Sequence, residues 1–181
     1  MKIVVLLIVA AAAHGATLHY WIEPCASEAA CRAGDPELAR WAFEAWQAAA
    51  GGKLDLVPAS SREKAQIRVI WADGHAGLFG EARPIVVEGI QGAEVYVVTP
   101  TAASSDPLLR DAIVYLTCVH ETGHALGLSH TDRFADIMYN FQYGGDIGEY
   151  FGRYRRLLRT RADIRKHAGL SGDDRRAIRS R

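Results

Sequence analysis

Residues 120–130 read His120-Glu121-Thr122-Gly123-His124-Ala125-Leu126-Gly127-Leu128-Ser129-His130. Histidines four apart on a helix project from one face, so His120 and His124 can reach one metal ion. Glu121 stands next to the first of them, placed beside a metal-activated water without being a ligand itself. Gly127 ends the helix, and its freedom at positive φ lets the chain turn sharply. That turn can bring His130 back to the same ion. Three neutral imidazoles leave a fourth position open on zinc, and an open position marks catalysis rather than a structural site. The plainer alternative, two surface histidines and an accidental third, leaves the joint spacing of these residues unexplained.

Upstream, Asp106-Pro107 opens the helix that carries this stretch. It continues through Leu108, Leu109, Ala112, Ile113, Leu116 and Val119 to Leu126. An earlier helix is predicted from Asp35-Pro36 to about Ala50, with Asp35 as its cap and Pro36 in its first turn. It ends at Gly51-Gly52, and its apolar stripe is Leu38, Trp41, Ala42, Ala45, Trp46 and Ala49. Alternating aromatic and β-branched residues predict a strand at 17–23. Short strands are expected at Leu54 to Val57, Gln66 to Trp71, within Phe79 to Val87, and at Glu94 to Val98. Pro84 marks its strand as an edge or a short one. Downstream, Asp146 to His167 has helical spacing at Ile147, Tyr150, Phe151, Tyr154, Leu157, Leu158 and Ile164. A last short helix is read from about Ser171, with Asp173 and Asp174 in its first turn.

The 181 residues are 49% hydrophobic and 23% charged, which fits one ordinary domain and excludes a disordered chain. Net charge is zero, so no global field draws in nucleic acid or a membrane surface. The charge is unevenly spread. Residues 1–150 hold 10 Lys/Arg against 18 Asp/Glu, and residues 151–181 hold 11 against 3. A basic helix can serve nucleic acid or anionic lipid. No aromatic-basic module accompanies it, so we read a face packed through its apolar stripe onto the acidic body, with no nucleic-acid partner.

Lys2, the apolar run Ile3–Ala13 and the small residues around Gly15 have the form of a secretory signal peptide, 1–15, cleaved near Gly15 or Ala16. Eleven apolar residues fall short of the roughly 20 that a membrane span needs, and no later segment is apolar enough. Export to the periplasm or the extracellular space exposes cysteines to oxidation. Cys25 and Cys31 can close a small loop, with Cys118 free and buried in its helix. Three reduced thiols, or another single pairing, remain alternatives at this level.

The string at 120–130 resembles the long zinc-binding consensus of the metzincin metalloproteases. Asp136-Ile137-Met138-Tyr139 looks like the methionine turn of that group. The Met-Tyr pair and Leu170-Ser171-Gly172-Asp173-Asp174 look most like the matrixin branch. The resemblance implies that His120, His124 and His130 bind one catalytic Zn²⁺ and that Glu121 is the general base. It further implies that Met138 floors the histidines and that Asp173 and Asp174 tie the last helix to the methionine turn or a new N-terminus. Tyr139 is placed either in the pocket for the residue after the scissile bond or in plain packing. The implied fold is α+β: a mixed, twisted sheet of about five strands, an active-site helix behind it, and a C-terminal helical subdomain, all within one catalytic domain at 16–181.

Several residues depart from the family pattern. Matrixins usually carry a structural zinc and calcium sites before the active helix. Residues 72–100 hold one histidine, His75, and scattered acids, so no structural zinc is expected, and calcium is left open without support. His19 and His167 have no clustered partners. The first strand follows the signal segment too closely for a propeptide. Asn140 stands where proline often follows Met-Tyr, and the segment from Asn140 to Gly169 is longer than usual. The expected protein is a secreted, monomeric zinc endopeptidase that binds protein or peptide substrate in extended form against the edge strand at Phe79 to Arg83. A zinc-binding interaction module without proteolysis is the alternative.

Overall fold

The computed structural model describes residues 15–26, 31–72, 79–100 and 105–181. The signal segment up to residue 14 and His75 lie outside the described residues. Five strands form one sheet: β1 (Ala16–Ile22), β2 (Leu54–Pro58), β3 (Ile67–Ala72), β4 (Gly80–Val87) and β5 (Ile90–Val98). Their order is β2-β1-β3-β5-β4. All neighbours are parallel except β4, which runs antiparallel to β5 with Gly80 opposite Val97 and Val87 opposite Ile90. Pro84 thus sits on an edge strand, where its missing N–H leaves no ladder bond unmade.

Helices α1 (Asp35–Ala50) and α2 (Pro107–Ala125) cover one face of the sheet. Alternation along β3 and β5 turns Ile67, Val69, Val95 and Val97 into the core. The two helices meet where Trp46 Nε1 donates to the Val119 carbonyl at 2.9 Å. Tyr20 of β1 stacks on Phe43 of α1, centroids 4.0 Å apart. Asp106 caps α2 by accepting from the amides of Leu108 and Leu109. Gly51 closes α1 in the left-handed conformation.

Two local expectations need correction. Asp35 does not cap α1 through its side chain. The carboxylate points into the interior, accepts the Arg32 amide and pairs with Arg110. The stretch from Asp146 to His167 is not one helix either. It is α3 (Ile147–Arg155), a break, and a 3-10 helix over Arg161–Lys166. The cause is Asp163, whose Oδ2 accepts the amides of Arg159 and Thr160 that a continuous helix would use itself. Leu157, one position of that helical spacing, is 53% exposed at the break. Helix α4 (Gly172–Arg179) starts at Ser171 with a capping box to Asp174.

The basic C-terminal stretch packs against the acidic body. Arg155 pairs with Asp106, Arg161 with Asp111, and Arg165 with Glu44. No helix among the described residues is long and apolar enough to cross a membrane.

Cys25 and Cys31 are joined in a disulfide, and Cys118 is free and buried in α2. The bond closes a short loop just ahead of α1. Loop-closure entropy for a ring of this size amounts to about 2 kcal/mol. Replacing both cysteines by alanine should lower the unfolding free energy in urea by about that amount. An unchanged midpoint would show that the bond adds nothing to the folded state.

Candidate active site

The three imidazoles come from two neighbouring segments. His120 and His124 project from the last two turns of α2. The chain then turns at Gly127, whose φ of 83° is left-handed, and returns His130 to them. His130 Nε2 lies 3.3 Å from His120 Nε2 and 3.1 Å from His124 Nε2. One ligand atom from each of the three falls within 4.8 Å of the others. His120 Nδ1 faces the Ile137 carbonyl at 2.6 Å, and His124 Nδ1 faces the Leu128 carbonyl at 2.9 Å. A backbone carbonyl at Nδ1 fixes the tautomer that leaves Nε2 as the donor toward an ion. Burial pushes His120 down to about 4, with His124 and His130 adding to that effect, so its imidazole is neutral. Burial and His124 lower His130 as well. Three convergent imidazoles, two of them held at Nδ1 by backbone carbonyls, fit a zinc ion.

Glu121 points from the same helix into the cleft and is only 6% exposed. Burial, helped by the charge of Glu81, raises its carboxyl to about 7. Strand β4 runs directly past it. A Cβ on Gly80 would meet Glu121 Cγ at 2.7 Å and Oε1 at 2.9 Å. Glycine at 80 is thus what lets the edge strand lie against this carboxylate. Nothing in the local sequence around Gly80 signals that approach.

Met138 lies beneath the histidine helix, 2% exposed. A Cβ on Gly123 would lie 2.5 Å from its Sδ and 3.1 Å from Trp46 Cζ2. Gly123→Ala should therefore push Met138 and Trp46 aside and destabilise the protein by about 1–3 kcal/mol. A thermal melt within error of the parent protein would contradict this packing. Asp174 Oδ2 accepts the Ile137 amide at 2.9 Å and so ties α4 to the turn that holds Met138. Asp173 is engaged by Arg133 and Arg176.

The cleft has a volume of about 680 Å³. Its apolar wall includes Phe79, Leu116, Tyr139, Phe141, Tyr150 and Phe151. Tyr139 is both a lining residue and a packed one, since its ring meets Phe134 and Phe141 and its hydroxyl donates to the Gly144 carbonyl. Asn140 Nδ2 lies 3.5 Å from His130 Nδ1. The α3 residues Tyr150 and Phe151 reach this wall from outside the motif. Their helical spacing was visible, but the face they would cover was not.

The family model for matrixins matches residues 13–147. The chain belongs to the matrixin family. Membership places it among the zinc-dependent metalloendopeptidases, and the mixed five-stranded sheet with its helices agrees with the metzincin fold. No curated protein matches the chain. The matched residues contain all three histidines, Glu121 and Met138, and they stop where α3 begins.

Proposed function

We propose that this matrixin is a secreted endopeptidase in which His120, His124 and His130 hold one zinc ion and Glu121 is the general base. The observation that carries the reading is the meeting of three imidazole Nε2 atoms beside a buried carboxylate in one cleft. The chemistry supplied by zinc at that place is Lewis acidity, which polarises a carbonyl and lets a water lose a proton near neutral pH. Glu121 accepts that proton at its carboxylate and passes it to the departing amine. His120 and His124 stay oriented because the Ile137 and Leu128 carbonyls hold their Nδ1 atoms. Met138 supports the helix from below.

Substrate would lie extended along β4, an edge strand of the sheet among the described residues. Pro84 has no N–H to offer, so the strand addition is confined to Phe79 to Arg83. The apolar wall suits a large apolar side chain next to the scissile bond. Export, with residues 1–15 removed and a domain at 16–181 left, is supported by the signal-like segment and by the disulfide. A zinc-holding module without proteolysis would have no need of Glu121 in the cleft.

The test is cleavage of a mixed peptide library by the purified chain, before and after zinc is stripped by a chelator. Cleavage that vanishes on stripping and returns with zinc is the expected outcome. Stoichiometric zinc binding with no cleavage of any peptide would favour the interaction module.

A further inference from the structure

Helix α3 begins where the match to matrixins ends, so its part is read from its own contacts. Tyr150, on its buried face, reaches the metal-binding end of the molecule. The phenol oxygen of Tyr150 lies 3.0 Å from the Asp136 carbonyl and 3.2 Å from the Ile137 carbonyl, donating its proton between them. The Ile137 carbonyl is the same one that accepts from His120 Nδ1. A carbonyl oxygen has two lone pairs. Here the imidazole approaches this oxygen from α2 and the phenol from α3. The amide of Ile137 is held in turn by Asp174 at the start of α4. Three helices therefore fix one residue of the turn.

The Tyr150 ring has little freedom to release this bond. It packs edge-on to Phe141 at 5.0 Å and Phe134 at 5.5 Å, and Arg153 lies over it at 4.4 Å. Tyr150 and Leu116 line both the main cleft and a second cavity of about 350 Å³. Wall and ligand support thus meet in one side chain.

We propose that Tyr150 is a positioning residue for the metal centre: by fixing the Ile137 carbonyl from the α3 side, it sets the orientation in which His120 presents Nε2. The proposal rests on the reading of the three histidines as zinc ligands. It differs from a packing role, and Tyr154 supplies the comparison. One turn further along α3, Tyr154 is equally buried, and its hydroxyl donates to the His167 carbonyl at 2.6 Å, away from the histidines.

The experiment compares Tyr150→Phe and Tyr154→Phe in the full chain. Zinc affinity is read by competition with a chromophoric chelator, and ligand geometry by the visible spectrum of the cobalt(II)-substituted protein. Thermal melts of the metal-free proteins are run alongside. Tyr150→Phe is expected to weaken zinc binding about tenfold, the low end for partners outside the ligand shell, and to shift the cobalt bands. Tyr154→Phe is expected to lower the melting temperature yet leave affinity and spectrum at the parent values. Parent-like affinity and spectrum in Tyr150→Phe would overturn the proposal. So would equal losses of affinity in both variants, which would mark a general loosening of α3. A parent chain that takes up no zinc would overturn the ligand reading first, and this inference with it.

Discussion

Glu121→Gln should leave a folded protein that binds one zinc ion and loses most of its peptide cleavage. Glutamine matches glutamate in volume, so the cleft wall and the approach of β4 at Gly80 are preserved. The exchange removes the buried carboxylate that, on the proposed reading, takes a proton from water and returns it to the amine. General-base contributions run to about 10²–10⁴-fold. A fall in kcat/KM of at least about 10²-fold is therefore expected, carried by kcat. KM should change little, because on the proposed reading β4 and the apolar wall would hold the extended substrate, not this carboxylate. Zinc content should stay at the parent level, since the three Nε2 atoms and the carbonyls behind them are untouched. Activity within tenfold of the parent would remove Glu121 from the role of base. Loss of zinc together with activity would instead make it part of the ligand arrangement.

The centre of the site was legible because it is local in the chain. His120, His124 and His130 fall within eleven residues, and a helix followed by a glycine turn is enough to bring them together. The helix ends at Asp106-Pro107 and Gly51 were legible for the same reason, since caps and turns are chosen by adjacent residues. Less legible was whatever two distant segments make between them. The carbonyl that orients His120 comes from Ile137, and the phenol on the same carbonyl comes from α3. The approach of Gly80 to Glu121 depends on how β4 lies over α2. Periodicity misled between Asp146 and His167. Leu157 keeps the helical spacing, yet Asp163 takes the backbone amides that the helix needs, and Leu157 is left in solvent. Asp35 misled in the opposite sense. An aspartate before proline reads as a cap, and only the packing of α1 on α2 reveals that its partner is Arg110, 75 residues away.

That partner makes Arg110→Met the substitution expected to weaken the fold most. Asp35 is fully buried and Arg110 is 1% exposed. The guanidinium meets both carboxylate oxygens, with Nη2 to Oδ2 at 2.6 Å. Two parallel bonds of this kind match the fork of arginine to a carboxylate. Among the described residues, removing arginine leaves Asp35 with the Arg32 amide at 2.8 Å as the remaining bond to its side chain. Breaking a buried pair from one side costs about 3–5 kcal/mol. The loss is one of charge balance more than of volume, because methionine fills much of the space the arginine stem occupied. Arg110→Met combined with Asp35→Asn should therefore recover at least about half of the loss, since the amide oxygen still accepts from Arg32 and no charge is stranded. Urea unfolding of the two variants and the parent measures both steps. A single variant as stable as the parent would mean that water reaches Asp35 once the arginine is gone. A double variant no better than the single would assign the loss to packing between α1 and α2 in place of charge.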